Sequence, residues 1–267
     1  MADRYVLIGN PVAHSKSPWI HAEFARATGQ DLEYTALESP LGGFARTVDE
    51  LRAAGARGAN VTVPFKQEAY AYCRGRVSAR ASKAQAVNTL TFEDGGARGD
   101  NTDGVGLVLD LERNLGRPIA GRRVLLMGAG GAARGVLPSL LECGPAALRI
   151  ANRTARRARE LAMICADVKG GGYPELAGQS FDLVINATSA GLADAAPRLP
   201  AGIFAPGALA YDMVYGRDTP FLAAARAAGA AVSNGLGMLV EQAAESFRLW
   251  RGVRPETVPV LSALRAG

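Results

Sequence analysis

The fold is decided by residues 123–143, which read RVLLMGAGGAARGVLPSLLEC. A strand-length apolar run, Arg123–Met127, leads into a G-x-G-x-x-A turn that is followed by a helix-favouring segment. In such units the first glycine, here Gly128, permits the tight turn, and the second, here Gly130, lets backbone N–H groups approach a pyrophosphate. The small residue, here Ala133, lets the helix pack on the strand, and the anion lies at the helix N-terminus. The stretch predicts a dinucleotide-binding unit, although glycine-rich chains also form such turns for structural reasons alone.

The end of the next predicted strand, Ala147–Ala151, indicates which dinucleotide is bound. NAD-binding proteins usually place an Asp or Glu at this point, about 20 residues after the turn, for the ribose 2′-hydroxyl. Here the residues are Asn152, Arg153 and Thr154, with Arg157 close behind. A carboxylate would repel a 2′-phosphate, whereas guanidinium groups bind it through charge-assisted hydrogen bonds. The sequence therefore favours NADP over NAD. Two neighbouring arginines are interpreted as a solvated helix face: Arg156 and Arg159.

Composition narrows the classes of function. The chain has 267 residues, enough for one or two domains, and its 30 Lys and Arg exceed its 25 Asp and Glu by 5. This mild excess fits a small anionic substrate and NADP better than nucleic acid. The cysteines, Cys73, Cys143 and Cys165, have no C-x-x-C spacing, which favours buried thiols over disulfides or a metal site. With only His14 and His21, a histidine zinc cluster or a Ser-His-Asp hydrolase is disfavoured.

Targeting and membrane signals are not recognisable in the sequence. The N-terminal residues, MADRYV, lack the apolar core of a signal peptide. No apolar run approaches the ~20 residues that a membrane-spanning helix needs. We therefore expect a soluble, cytoplasmic protein that is a monomer or a homodimer.

The first hundred residues alternate predicted strands and helices, which is typical of an α/β fold with a mostly parallel sheet. The predicted strands there are Tyr5–Gly9, Leu32–Leu37, Ala59–Val63 and Val87–Phe92. The predicted helices are Ser17–Thr28, with Ser17 as N-cap, Phe44–Ala54 and Phe65–Cys73. The later predicted elements are helix Asp103–Leu115, strands Phe181–Asn186, Ala208–Asp212 and Ala231–Ser233, a helix from Gly235 to about Gly252, and a short helix from Pro255.

Candidate site residues follow the predicted strands, because ligands collect beyond the carboxyl ends of parallel strands. After the first strand, the hydroxyls of Ser15 and Ser17 stand beside a helix start and suit a carboxylate. The alternative is that Ser17 is only an N-cap and Ser15 only a turn residue. After the third strand, Asn60 and Thr62 share one face, and Lys66 lies in the first turn of a helix.

Lys66 and Asp103 are the candidates for proton transfer. The helix dipole disfavours a cation at Lys66, so a lysine there suggests acid–base work, with an exposed surface lysine as the alternative. Asp103 is interpreted either as an ordinary N-cap or as a carboxylate that pairs with Lys66 and grips a substrate hydroxyl. Amide side chains are available at Asn88, Asn186 and Gln242.

Short motifs in a fixed order extend these candidates over the whole chain. They are NP at 10–11 with HSKSP at 14–18, NVTVPFK at 60–66, AVNTL at 86–90, NTDG at 101–104, the turn at 128–133, NRT at 152–154, NATS at 186–189, YDMVY at 211–215 and GLGMLVEQ at 235–242. With them the sequence resembles the shikimate dehydrogenase family. The resemblance implies NADPH-dependent reduction of 3-dehydroshikimate to shikimate, a step toward the aromatic amino acids.

The resemblance also implies roles for individual residues. The substrate carboxylate would be held by Ser15 and Ser17 with Thr62, and Lys66 would be the acid–base residue, oriented by Asp103. The substrate ring would be lined by four side chains: Asn88, Asp103, Tyr215 and Gln242. The dinucleotide would be held by the turn and by the second strand end: Gly128, Ala129, Gly130, Gly131, Ala132, Asn152, Arg153, Thr154 and Arg157. Backbone at Met213 and Gly235 would meet the nicotinamide.

The family pattern implies two domains. Residues 1–103 with 236–267 would bind the substrate, because the C-terminal helices return to the first domain, and residues 104–235 would form a Rossmann-like NADP domain. One departure is Gln85, which stands where a glycine commonly precedes the AVNT motif. The alternatives are a quinate/shikimate dehydrogenase of dual specificity, a methylene-tetrahydrofolate dehydrogenase, and a non-catalytic NADP- or metabolite-sensing protein.

Overall fold

Two units, each with its own sheet, make up the chain. The computed structural model describes residues 2–73, 75–165, 168–188 and 197–266. Ser189, the last residue of the NATS motif, therefore lies outside the described residues. Unit 1 comprises Met1–Gly106 with Leu239–Gly267, and unit 2 comprises Leu107–Met238. Within the described ranges, no helix combines the length and apolar character that crossing a bilayer requires.

The elements are numbered in chain order. The strands are β1 (Asp3–Gly9), β2 (Leu32–Glu38), β3 (Gly58–Val61), β4 (Thr89–Glu93), β5 (Gly96–Asp100), β6 (Arg123–Met127), β7 (Ala147–Ala151), β8 (Lys169–Gly171), β9 (Phe181–Asn186), β10 (Phe204–Asp212) and β11 (Ala231–Asn234). The helices are α1 (Ser17–Thr28), α2 (Phe44–Ala53), α3 (Lys66–Tyr72), α4 (Ala79–Ala84), α5 (Asp103–Leu109), α6 (Gly131–Glu142), α7 (Ala155–Ala162), α8 (Pro220–Ala227), α9 (Leu236–Arg251) and α10 (Val258–Ala266).

Several predicted element ends are wrong. Ser17 is the first residue of α1 rather than its cap, and its backbone N–H donates to Ser15 Oγ at 3.2 Å. The helix predicted over 103–115 is α-helical only as far as Leu109 and continues as a π-helical turn, Asp110–Asn114. The last helix begins at Val258 rather than at the predicted proline.

Unit 1 contains a five-stranded sheet in the order β2-β1-β3-β4-β5. The strand β1 is parallel to β2 and β3, whereas β4 is antiparallel to both of its neighbours. The hairpin partner β5 was not predicted, because its sequence, GARGD, lacks apolar alternation. The chain crosses from β1 to β2 on one side and returns to β3 on the other. The carboxyl ends of β1 and β3 therefore form a switch point of the kind where ligands bind in open α/β sheets.

The long helix α9 belongs to unit 1 from Leu239 onward and packs on the sheet there. Residues alternate along β1, so that Val6 and Ile8 join the core with α2 and α3 while Tyr5 faces the opposite side. The ring of Tyr5 stacks on Trp250 of α9 with centroids 4.5 Å apart, and Trp250 Nε1 donates to the Leu90 carbonyl at 3.0 Å. The return of the chain to its first sheet thus rests on aromatic burial and a hydrogen bond.

Unit 2 contains a six-stranded parallel sheet in the order β11-β10-β9-β6-β7-β8. Counted from β6, this is the strand order 3-2-1-4-5-6 of the Rossmann fold, and the predicted α/β class is confirmed. The central strands β6 and β9 are buried on both faces and read as continuous apolar runs, which is why they were predictable. The switch point of this sheet lies between the carboxyl ends of β6 and β9.

Gln85, where the resemblance stated above implies a glycine, ends α4 in the left-handed conformation, with φ of 50°. Within the described residues, every other position with positive φ is a glycine. A side chain in this conformation costs about 1 kcal/mol, because Cβ crowds the following carbonyl oxygen. The departure from the family pattern therefore stores backbone strain just before Asn88.

The strain at Gln85 can be measured by comparing Gln85→Gly with Gln85→Ala. Both variants lose the side-chain amide of Gln85. Only glycine also removes Cβ and thereby relieves the left-handed backbone. We expect Gln85→Gly to exceed Gln85→Ala by about 1 kcal/mol in the free energy of unfolding measured by urea denaturation. Equal stabilities, or a more stable alanine variant, would contradict the strain.

Candidate active site

A buried lysine–carboxylate pair lies in unit 1, beyond the carboxyl ends of β3 and β5. Lys66 Nζ donates to Asp103 Oδ2 at 2.6 Å, and the two side chains are only 11 % and 5 % exposed. The second carboxylate oxygen, Oδ1, accepts from Asn88 Nδ2 at 2.8 Å. Lys66 is the first residue of α3 and Asp103 the first of α5, so the structure brings together three predicted residues. The interpretation of Lys66 as an exposed surface lysine is wrong.

Asn101 and Thr102 hold this pair in place, although the sequence reasoning gave them no role. The backbone N–H of Thr102 donates to Asn88 Oδ1 at 2.8 Å, which orients the amide toward Asp103. Asn101 Oδ1 accepts the Asp103 N–H at 3.0 Å, so the amide of Asn101, rather than the Asp103 side chain, takes the capping bond. The Asp103 carboxylate is thereby left to Lys66 and Asn88. The sequence signal that could have identified Asn101 and Thr102 is the run of adjacent polar residues between a strand and a helix.

Ser15, Ser17 and Thr62 follow β1 and β3, the neighbouring strands of the switch point. The hydroxyl of Ser15 donates to Ser17 Oγ at 3.2 Å, and its oxygen accepts the backbone N–H of Ser17, the first residue of α1. Ser17 is buried and Thr62 is half-buried. A Cβ added at Gly9 would lie 2.4 Å from Thr62 Cγ2, so the glycine makes room for this threonine. The geometry suits a carboxylate held by paired hydroxyls.

Gln242 reaches the same cluster from α9. Its Oε1 lies 3.4 Å from Asn88 Nδ2 and 3.5 Å from Thr102 Oγ1, and its Nε2 donates to the Leu239 carbonyl at 2.8 Å. Tyr215, the remaining residue predicted to line the substrate ring, belongs to unit 2, where it follows β10 and is half-buried.

Asn60, which shares a strand face with the site residues in the sequence, has a packing role. Its Nδ2 lies within 3.1 Å of the Asn88 carbonyl and Thr89 Oγ1 and 2.9 Å from Ser246 Oγ. Its Oδ1 accepts from Tyr34 OH at 2.8 Å. The amide thus joins three strands and α9 beneath the site.

The two histidines do not supply acid–base groups to this cluster. His14 is exposed, and His21 is buried with its ring stacked on Tyr34 at 4.1 Å. Burial lowers the pKa of His21 to about 3, so the imidazole is neutral at pH 7. Of the two histidines and Lys66, it is Lys66 that contacts the Asp103 carboxylate.

The glycine turn of unit 2 has the geometry that dinucleotide binding requires. Gly128 has φ of 112°, and a Cβ there would lie 2.9 Å from the Ala187 carbonyl oxygen. Gly130 is exposed, and no described protein atom lies within 4 Å of the Cβ position, so its own packing does not demand a glycine. Open space at the N-terminus of α6 is what a pyrophosphate would fill. The rest of the turn is partly exposed except for buried Ala133: Ala129, Gly131 and Ala132.

The arginines after β7 fall into two groups, those that pair with a glutamate and those that do not. Arg156 is paired with Glu160 at 2.6 Å and Arg159 with Glu175 at 2.9 Å. In the part of the chain that the structure describes, the guanidinium groups of Arg153 and Arg157 make neither a hydrogen bond nor an ion pair, and both residues are exposed. Asn152 and Thr154 shape the loop, because Asn152 Nδ2 donates to the Thr154 carbonyl at 3.0 Å. The two unpaired guanidinium groups are the ones predicted to bind a phosphate.

Met213 and Gly235 follow the parallel neighbours β10 and β11 and are in close backbone contact. A Cβ at Gly235 would lie 2.4 Å from the Met213 carbonyl oxygen. The Gly235 N–H donates to the Val214 carbonyl at 3.2 Å, so the two strand ends are joined.

The fold and these residues define a two-unit α/β protein in which a Rossmann-type dinucleotide-binding unit accompanies a unit with a buried lysine–carboxylate pair. Three family models match: the shikimate dehydrogenase substrate binding domain over residues 7–90, shikimate / quinate 5-dehydrogenase over 110–193, and the shikimate 5′-dehydrogenase C-terminal domain over 235–265. The chain belongs to the shikimate dehydrogenase family.

Similar proteins cover the chain almost end to end. The shikimate dehydrogenase (NADP(+)) of Aromatoleum aromaticum is 59% identical and covers 98% of this chain and 97% of its own. The crystal structure of an Ael1 enzyme from Pseudomonas putida has a TM-score of 0.91 with 49% identity and 98% of both chains covered. Shikimate 5-dehydrogenase from Thermus thermophilus, in complex with NADP(H) and shikimate, has a TM-score of 0.87 with 37% identity and 99% of both chains covered.

Proposed function

We propose that this chain is an NADP-dependent shikimate dehydrogenase that reversibly reduces 3-dehydroshikimate to shikimate, with Lys66 as the acid–base residue. The observation that carries the proposal is the buried Lys66–Asp103 pair beyond the carboxyl ends of β3 and β5 in the sheet of unit 1. Membership of the family supports the reaction and the cofactor. Unit 1 is assigned to the substrate and unit 2 to NADP.

The substrate carboxylate is assigned to Ser15, Ser17 and Thr62. The paired hydroxyls at 3.2 Å support this, because they lie together beside the start of α1 and beyond the carboxyl end of β1. Ring hydroxyls are assigned to Asn88, Asp103 and Gln242, with Tyr215 as a further contributor. The polar groups of unit 1 converge at one end of its sheet and would fix the orientation of a small polyhydroxylated ring.

Proton transfer is assigned to Lys66. When bound, NADPH supplies the hydride to the carbonyl carbon of the substrate. The Lys66 ammonium donates a proton to the carbonyl oxygen as negative charge develops there, and Asp103 holds Nζ in place through the 2.6 Å contact. Asp103 stays a carboxylate, and Asn88 satisfies its second oxygen.

The cofactor is assigned to the turn and to the second strand end of unit 2. The pyrophosphate would lie at Gly128–Ala132, where open space at Gly130 supports the fit. The 2′-phosphate would be held by Asn152–Thr154 and Arg157, and the nicotinamide would meet backbone at Met213 and Gly235. A cytoplasmic location and a monomeric or dimeric state remain predictions.

The proposed function is tested by following reduced-nicotinamide absorbance with shikimate or quinate, each with NADP⁺ or NAD⁺. We expect turnover mainly with shikimate and NADP⁺. Comparable turnover with quinate or NAD⁺ would replace the proposal by a dual-specificity dehydrogenase. No turnover in any of the four mixtures would contradict an enzymatic function and favour a sensing protein.

The choice of NADP over NAD is tested at the unpaired arginines. We expect Arg153→Ala and Arg157→Ala each to raise the KM for NADPH about tenfold, the effect of one lost charge-assisted hydrogen bond. The KM for NADH should change little, because NADH lacks the 2′-phosphate. Arg156→Ala is the matched control, since its guanidinium is paired with Glu160. The assignment fails if the control has the same effect, or if both cofactors are affected equally.

A further inference from the structure

Asp212 is a fully buried carboxylate that none of the roles assigned above uses. It ends β10 and accepts three hydrogen bonds. Thr219 Oγ1 donates to Oδ2 at 2.6 Å, Asn186 Nδ2 donates to Oδ2 at 3.1 Å, and the Val214 N–H donates to Oδ1 at 3.0 Å. Three donors converging on two oxygens is a pattern that an acceptor-only carboxylate satisfies and an amide cannot.

These bonds connect two loops and a helix at the carboxyl end of the unit 2 sheet. Asn186 ends β9, and its Oδ1 accepts from both the N–H and the hydroxyl of Thr188, at 3.2 and 2.7 Å. Thr219 caps α8 and accepts the Leu222 N–H at 3.3 Å while its hydroxyl donates to Asp212. A single carboxylate therefore joins the end of β9, the residues directly after β10 and the start of α8.

The backbone held most tightly by this arrangement is that of Met213. Its N–H donates to the Asn186 carbonyl at 3.0 Å, and the residues on either side of it are bonded to each other through the Asp212 side chain. Its carbonyl oxygen abuts Gly235 so closely that a Cβ there would lie 2.4 Å away. The Asp212 hydrogen bonds thus restrain the backbone of Met213 together with its own bond to the Asn186 carbonyl.

We propose that Asp212 is the positioning residue for the nicotinamide half of the cofactor, acting through Met213 without touching cofactor or substrate. The inference rests on the proposed function, in which backbone at Met213 and Gly235 meets the nicotinamide. Hydride transfer requires the reacting atoms to approach within about 3–3.5 Å, and a misplacement of about 1 Å costs on the order of 100-fold in rate. The 2′-phosphate end is held by other residues and does not depend on this carboxylate.

The first test is Asp212→Asn, which keeps the shape of the side chain and turns one acceptor into a donor. We expect kcat to fall about 10- to 100-fold. We also expect the deuterium isotope effect with NADPH labelled at the transferred position to rise, because hydride transfer becomes slower relative to product release. The Kd of 2′,5′-ADP, which lacks the nicotinamide, should change less than about threefold when measured by calorimetry.

Exchanging the carboxylate and the amide between positions 186 and 212 tests whether kcat can be rescued. Asn186→Asp combined with Asp212→Asn retains one carboxylate and one amide between β9 and β10, and we expect it to recover part of kcat. Asp182→Asn is the matched control, because Asp182 lies near the start of β9, at the opposite end of the sheet, and pairs with Arg123. It should leave kcat and the isotope effect unchanged.

The inference is overturned if folded Asp212→Asn has the kcat and isotope effect of the natural chain, or if kcat and 2′,5′-ADP affinity fall together. Should that variant not fold, Thr219→Val removes one donor and is expected to lower kcat severalfold with the same rise in isotope effect. A folded Thr219→Val with unchanged values overturns the inference equally. Failure of the natural chain to oxidise shikimate with NADP⁺ would instead defeat the proposed function.

Discussion

The site depends on an ammonium and a carboxylate that are kept together out of water. Removing both charges from solvent costs several kcal/mol each, and the 2.6 Å contact between Lys66 and Asp103 offsets this only while the remaining oxygen is also bonded. Asn88 provides that bond, and Thr102 in turn orients Asn88. The residues around the pair are therefore present less for binding strength than to keep the charged groups compensated and correctly placed.

Both sheets gather their functional residues by the same topological means. In unit 1 the segments after β1 and β3 carry the serines and the lysine, and in unit 2 the glycine turn follows β6 while Asn186 ends β9. At each place the strand order reverses, so consecutive crossovers leave on opposite sides and open space for a ligand. The lysine at the start of α3 is unfavourable for the helix dipole, and the nearby carboxylate removes that penalty.

Elements whose signals lie in the local sequence were predicted, whereas elements that depend on tertiary contacts were missed. The strands β6, β7 and β9 were predictable because they are short apolar runs between clear turns, and the Gly128 turn because glycine chemistry is specific there. The strands β5 and β8 and the helices α4 and α8 were missed, since α4, for example, buries only Ala81 and Ala84.

The same limit applies to the site. Lys66, Asp103 and Asn88 could be proposed from their places after strands, and their contact is now established by geometry. Asn101 and Asp212 could not be given roles, because an N–H captured from a neighbouring residue and a carboxylate shared by two loops leave no pattern in sequence spacing. The cap assigned to Ser17 was wrong because α1 already begins at Ser17, whose own N–H donates to Ser15 Oγ two residues earlier.

The central claim is that Lys66 moves the proton, and Lys66→Met tests it most directly. The change replaces the ammonium by an uncharged side chain that is one atom shorter, and it leaves Asp103 bonded to Asn88. The affinity for NADPH, measured by nucleotide fluorescence, should stay within about threefold of the natural chain, while kcat for shikimate oxidation falls on the order of 100- to 10,000-fold, the usual contribution of a general acid–base group. A variant that binds NADPH and retains near-normal kcat would contradict the account.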